Sequence, residues 1–436
     1  MIQIFAYPSD EAERKISAIA ARRPGADPVL EAKVMEMIEA VKAEGDAAVL
    51  RYTRRFDAPG LEEGRLCVED REVDAACAEV DSDFLSIIRA AMRNIEEFHR
   101  RQLRWSHFMT RPDGTFLGQI VRPVRAAGAY IPGGQGGETP LISSVLMNVI
   151  PARLAGVCDI AMVTPPRKDG SINPYLLAAA REAGVNRIYR AGSAWGIAAL
   201  AYGTESIRPV DVIVGPGNIF VALAKKLLAG LVGIDMIAGP SEILVVADSS
   251  AKADYIAADL LSQAEHDVMA SAICITTDEK LAGRIAAELS AQLAALPRSA
   301  TAAASIERYG SVFTTGDLDT AFALANRIAP EHLELHIEEP LPWLGRVENA
   351  GAVFIGEHTP EPVGDYYAGP NHVLPTAGTS RFASALGVDD FLKKTSVIAY
   401  SKAAFDRDAG SIVRLAELEG LKAHAESVRI RMGKKS

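Results

Sequence analysis

Cysteine is scarce in this chain of 436 residues. Cys67, Cys77, Cys158 and Cys274 lie far apart and none belongs to a C-x-x-C pair. That spacing argues against a disulfide framework and a thiolate zinc site, and reads as four small buried hydrophobes. Aromatic residues make up 6% of the sequence against 49% hydrophobic overall, a balance that fits an Ala/Val/Ile/Leu-rich α/β enzyme better than a β-sandwich or a disordered chain. No apolar run approaches the length of about eighteen residues that a membrane-spanning helix needs. Met1-Ile2-Gln3-Ile4 leads straight into Asp10-Glu11-Ala12-Glu13 without a basic and then apolar leader, so the chain reads as cytoplasmic, with no membrane partner. Positive charge is in deficit, the net charge being −10, which argues against nucleic acid as a partner. There is no Walker sequence, no G-x-G-x-x-G, no internal repeat and no low-complexity segment.

The length calls for more than one domain. From Asp27 to about Arg104 an apolar stripe (Leu30, Val34, Met37, Ile38, Val41, Val49) predicts mostly helix. From Val124 short apolar runs alternate with helical stretches, the pattern of βαβ units and a parallel sheet. Strands are expected at Ile160 to Thr164, Val185 to Tyr189, Val210 to Val214, Ile243 to Ala247, Ala272 to Thr276, Ser311 to Phe313 and Ala352 to Ile355. The fold class read from this is α/β: two Rossmann-like (incomplete) parallel-sheet lobes, with a helical N-terminal segment and a helical C-terminal tail. The expected division is an N-terminal segment 1–26, a first lobe of 27–125 plus 237–386 carrying the metal and catalytic residues, a cofactor-binding second lobe 126–236, and a tail 387–436. The tail carries a narrow stripe of Ile412, Leu415, Leu418 and Leu421 and little core of its own, so it should dock on a second subunit.

The chemistry concentrates in Ile234 to Asp267, where a turn (Gly239-Pro240-Ser241-Glu242), a buried strand and a helix follow one another. Gln263 and His266, three apart, face the same way on that helix, and an amide and an imidazole one turn apart can share a metal ion. Of eight histidines, others sit among acids near turns: Glu331-His332 after Pro330, Asp365 and His372 in Val363 to His372, and Glu419 near His424. Nitrogen and oxygen donors without thiolate suit zinc, manganese or cobalt. Glu331-His332 offers an adjacent acid and base for two proton transfers at one centre, or equally a helix-start acid with a chance neighbour. Ser241 reads as a turn hydroxyl or a substrate contact. Tyr130 and Trp195 read as core aromatics, or in the case of Trp195 as a ring stacked on a flat cofactor. The glycine-rich turns Gly133 to Pro140 and Gly215-Pro216-Gly217-Asn218 let backbone approach a ligand at a helix start.

Taken together, Ala238-Gly-Pro-Ser-Glu242, Leu261-Ser-Gln-Ala-Glu-His266, Pro330-Glu-His332, Gly364-Asp365 and Gly369-Pro-Asn-His-Val-Leu-Pro-Thr376 closely resemble the histidinol dehydrogenase family, from about residue 25 to the C-terminus. The resemblance implies oxidation of L-histidinol through L-histidinal to L-histidine, with two NAD⁺ and one water consumed. It implies Gln263, His266, Asp365 and His424 as ligands of one Zn²⁺ per subunit, and Glu331 and His332 as the acid–base pair. Ser241, His372 and Glu419 match substrate contacts, joined by Gln263, His266, His332, Asp365 and His424 of the metal and catalytic set. Tyr130 and Asn218 match NAD contacts, as does position 195. The resemblance also implies a homodimer with shared active sites, in which Glu419 and His424 complete the partner's site. The chain departs from the family at two places: Trp195 stands where a glutamine is usual, and the loop Gln135 to Pro140 is longer and richer in glycine. A paralogue oxidising another polar alcohol, such as a sulfonated diol, is the alternative; a zinc hydrolase working without NAD⁺ is a more distant one.

Overall fold

The computed structural model describes residues 2–22, 28–133, 137, 139–297 and 299–433. Part of the glycine loop noted above, Gly134 to Gly136 and Glu138, lies outside them. The chain forms two compact units: Met1–Gln102 with Val124–Phe391, and Leu103–Pro123 with Leu392–Ser436.

Two parallel sheets make the first unit. The larger has six strands in the order Ile4–Ala6, Ser311–Thr314, Ser271–Thr276, Glu242–Ala247, His332–His336 and Ala352–Ile355. Its central strand Glu242–Ala247 is buried along its whole length, as expected where helices cover both faces of a parallel sheet. Because side chains alternate along a strand, Ile243, Val245 and Ala247 pack under the helices Ala253–Ala264 and Glu279–Leu293, while Leu244 and Val246 pack with Phe322 and Leu324 of the helix Leu318–Ile328. The chain passes from Glu242–Ala247 outward to one side and returns at His332–His336 on the other, which puts a topological switch point between these two strands. The smaller sheet has five strands: Arg187–Arg190, Asp159–Thr164, Ala126–Tyr130, Val212–Val214 and Gly233–Ile234. It repeats the device, with its switch point between Ala126–Tyr130 and Val212–Val214.

The expected domain division needs correction in three places. Residues 2–22 do not form a segment apart from the lobes, because Ile4–Ala6 pairs in register with Val312 to Thr314 and extends the six-stranded sheet. The helices Pro28–Glu44 and Asp46–Phe56, expected in the lobe with the metal residues, bury Val34, Ile38, Val41, Val49 and Tyr52 in one core with Tyr130, Trp195 and Ile213 of the five-stranded lobe. The tail is not wholly helical: Leu392–Ala399 is a strand, paired antiparallel with Phe116–Pro123, which pairs in turn with His107–Thr110. The cysteines also divide, since Cys274 is buried but Cys67 and Cys158 are exposed.

Candidate active site

Alternate residues of the strand His332–His336 point to the same face as Ile243, Val245 and Ala247, their register partners. They therefore meet the helix Ala253–Ala264. Its last turn delivers Gln263, which is fully buried, and the chain then makes one tighter turn, His266 N–H donating to the Gln263 carbonyl at 3.2 Å. Gln263 and His266 thus stay one turn apart although the helix has ended. One atom of the Gln263 side-chain amide lies 3.1 and 3.2 Å from the two Glu361 carboxylate oxygens and 3.2 Å from His332 Nδ1, and the other lies 3.3 Å from His266 Nδ1.

His332 is held in one tautomer. Its Nδ1 is 3.0 Å from the Glu242 carbonyl oxygen, an acceptor with no proton to give, so Nδ1 carries the hydrogen and the lone pair sits on Nε2. Nε2 is buried without a hydrogen-bond partner and stands 4.0 Å from Glu361 Oε1. Burial lowers the His332 pKa below the ordinary value, opposed by the nearby charge of Asp365; the ring is neutral at pH 7. Glu331, adjacent in sequence, accepts the Glu242 N–H at 2.9 Å and lies 3.7 Å from His332 Nδ1. Burial raises its pKa well above the carboxylate range, and the charges of Glu242, Glu361 and Asp365 add to this.

The short helical turn Glu361–Val363 and the wide π-type turn Gly364–Ala368 complete the cluster. They bring in Glu361, pushed up to about 8 by burial and by Glu334, and Asp365, pushed up to about 7 by burial and by Glu361. His372 Nδ1 lies 3.8 Å from Asp365 Oδ1; burial and the neighbouring imidazoles of His332 and His266 push it down to about 4. The buried Asp365 Oδ1, His332 Nε2 and His372 Nε2 all lack hydrogen-bond partners, and His332, Glu361 and Asp365 can offer ligand atoms within 4.8 Å of one another. Raised carboxylates beside uncommitted imidazole nitrogens are what a divalent cation would neutralise, so these residues fit a metal.

Gln263, His266, His332, Asp365 and His372 of the expected residues therefore come together. Ser241 lies in the turn entering the same central strand, its carbonyl accepting from Ser271 N–H at 3.0 Å. Glu419 and His424 belong to the second unit and are solvent-exposed there. Tyr130 and Asn218 sit at the carboxyl ends of the two strands flanking the other switch point. Tyr130 is buried with its hydroxyl accepting from Ser193 N–H at 3.3 Å, and Asn218 caps the helix Ile219–Leu228, accepting from Phe220 and Val221 at 3.0 and 3.2 Å. Trp195 has a different setting from the one expected of a cofactor platform: it is 3% exposed, stacks on Tyr52 and Phe56 and donates to Thr53 Oγ1 at 3.0 Å. Glu361 and Glu242 were missed by sequence reasoning. The first stands between two prolines with no motif around it, although its neighbour Asp365 was noticed.

Two doubly wound parallel lobes, one with a buried histidine–carboxylate cluster at the strand starts, define an α/β enzyme whose clustered side chains are able to move a proton and to hold a cation. The chain matches the histidinol dehydrogenase family over residues 21–432. It is 53% identical over 426 residues to histidinol dehydrogenase of Oleidesulfovibrio alaskensis, covering 98% of each chain, and 49% identical over 434 residues to that of Heliobacterium mobile, covering all of both. The crystal structure of histidinol dehydrogenase from Elizabethkingia anophelis superposes with a TM-score of 0.91 at 36% identity, covering 99% of this chain and 98% of that one. This chain belongs to the histidinol dehydrogenase family, and is an oxidoreductase.

Proposed function

We propose that the chain oxidises L-histidinol to L-histidine through L-histidinal, the closing steps of histidine biosynthesis, with NAD⁺ as the oxidant and zinc in the cluster. Gln263, His266 and Asp365 would hold the ion together with His424 of a partner subunit. Bound there, the ion would supply a fixed positive charge for the donor groups of the substrate, so that the reacting carbon would be positioned rather than polarised directly.

The observation that carries the reading is the fixed His332 tautomer. With Nδ1–H committed to the Glu242 carbonyl, the Nε2 lone pair can take the hydroxyl proton as hydride leaves the neighbouring carbon. Glu331, whose buried carboxylate is a stronger base than an exposed one, serves the second half-reaction by activating the water that attacks the aldehyde. No cysteine is needed for this, in keeping with the buried, core position of Cys274. NAD⁺ is placed outside the carboxyl ends of the five-stranded sheet, between Tyr130 and the Gly215 to Asn218 turn, where open α/β sheets take their ligands. Ser241, His372 and Glu419 contact the substrate. Exposure of Leu415, Leu418 and Ile430 on the tail helices supports a homodimer in which that surface is covered. No described helix is long and apolar enough to cross a membrane, and the reading places the enzyme in the cytoplasm.

The test is the NADH yield per L-histidinol consumed, on zinc-replete enzyme with excess NAD⁺. Two equivalents with histidine as product are expected; one equivalent with accumulating aldehyde would defeat the four-electron reading, and turnover of a sulfonated diol in its place would favour the paralogue.

A further inference from the structure

Both members of the pair Glu331-His332 hang on the main chain of Glu242, the first by its N–H and the second by its carbonyl. What holds Glu242 in turn is its side chain, which is buried too, the residue being 5% exposed. Its Oε2 accepts the Ala377 N–H at 3.0 Å. Its Oε1 stands 3.8 Å from Arg22 Nη1, an ion-pair separation rather than a hydrogen bond.

Arg22 lies just past the helix Asp10–Ala20 of the N-terminal arm, and other contacts fix its guanidinium. Nη2 donates to the Met269 carbonyl at 2.6 Å, in the turn that follows His266, and the group lies over the Tyr309 ring, 4.5 Å from its centroid. The side chains of Arg22 and Glu242 are 15% and 7% exposed, so solvent screens their attraction weakly. Arg381 also acts on Glu242 as a cation, to a smaller extent, and Glu331 faces it as a second buried carboxyl. A buried carboxylate robbed of its cationic partner is strongly disfavoured. Turning out of its setting would release Ala377 and shift the strand start on which both Glu331 and His332 depend.

Building on the reading of Glu331 and His332 as acid and base, we propose that Arg22 is a positioning residue for the reaction. By balancing the charge of Glu242 it holds the strand start that fixes the His332 tautomer and the direction of the Glu331 carboxylate. The same guanidinium ties the turn after His266 to that strand start, so the N-terminal arm braces the site without touching substrate.

The experiment compares full-length, zinc-replete wild type with Arg22→Met, Glu242→Gln and the double variant. Arg22→Met should lower kcat for L-histidinol by about 10²-fold, the cost of a small misplacement of reacting groups, with KM and zinc content unchanged. In the double variant no unpaired carboxylate is buried, and kcat should recover by about tenfold over Arg22→Met, roughly one step on the scale of coupled neighbours. A risen KM at wild-type kcat overturns the proposal. So does a double variant as impaired as Arg22→Met, since Arg22 would then act through the Met269 turn alone. Where Arg22→Met does not fold, folding restored in the double variant supports the pairing, and a double variant that also fails to fold refutes it. A readout free of substrate separates this proposal from the assignment of the reaction: nitrogen-15 NMR of the histidine rings, with His332 identified by its loss in His332→Ala. The His332 signals should show the Nδ1–H tautomer in the wild type and leave it in Arg22→Met; an unchanged tautomer defeats the positioning role whatever alcohol the enzyme oxidises.

Discussion

A single hydrogen bond gives His332 its character, since the Glu242 carbonyl decides which ring nitrogen is free. His332→Ala should lower turnover by about 10²–10⁴-fold, the usual loss on removing a general base, while bound zinc is retained; loss of that zinc would make His332 a ligand instead. The pH profile provides a second check. Burial lowers the His332 pKa from the ordinary 6.5, and the protonated ring cannot accept a proton. Activity should therefore persist at pH 6.5 and fall on a limb below it in kcat/KM; a limb at or above 6.5 would contradict the assignment. The pair Glu331-His332 was legible as an acid and a base after a proline turn. Its tautomer was not, because the deciding acceptor lies 90 residues away. Trp195 shows the reverse difficulty: a ring after a strand reads as a platform or as core, and only the neighbours Tyr52, Phe56 and Thr53, on a helix far back in the chain, separate the two. Glu334 and His336, buried beyond His332 on the same strand, had a signal that went unused. His332-Leu-Glu334-Leu-His336 alternates polar and apolar residues where the other strands at the centre of this sheet are almost wholly apolar, which marks a face carrying chemistry.

At the scale of the element, the turn after Val212–Val214 is set by a buried clamp. Gly215 has a φ of +111° and a side chain there would come within 2.3 Å of the Tyr130 carbonyl oxygen, so only glycine allows the close approach. Lys225, from the following helix, donates to the Gly215 carbonyl at 2.9 Å and pairs with Asp235, whose other oxygen accepts the Gly215 N–H at 2.8 Å. Lysine and aspartate side chains are 2% and 0% exposed. Lys225→Met should therefore cost about 3–5 kcal/mol, since it leaves a buried carboxylate without its partner, and chemical denaturation would measure it; a change under about 1 kcal/mol would show that Asp235 finds another partner or a proton at little expense. The parallel strands themselves were readable because a strand buried on both faces is a continuous apolar run rich in β-branched residues, as in Ile243 to Val246. Leu392–Ala399 was not readable. It is mostly exposed, and its Lys393-Lys394-Thr395-Ser396 centre has neither the apolar run nor the alternation that announces a strand.

For the whole molecule, the second unit poses the main question. Its helices Lys402–Leu418 and Lys422–Arg429 bury only Ala404, Ala409, Val413 and Ala425, a core too small to explain the apolar residues left outside. If Glu419 and His424 complete a partner's site, then His424→Ala and His332→Ala, each inactive alone, should regain turnover when mixed and allowed to exchange subunits, because one site of the mixed dimer has both halves intact. No activity in verified mixed dimers would rule out sharing. The two-lobe plan was visible in the sequence, but not the ownership of its outer pieces: the helices Pro28–Glu44 and Asp46–Phe56 announce an apolar stripe without saying which sheet it will cover. Ownership has a temporal side as well. Every strand of the smaller sheet comes from one uninterrupted stretch, Ala126 to Ile234, whereas the larger one seats Ile4 against Val312, and closing so long a loop demands far more chain entropy. As the polypeptide emerges from the ribosome, the smaller sheet can be complete while Ile4–Ala6, made before it, still has no strand to lie beside.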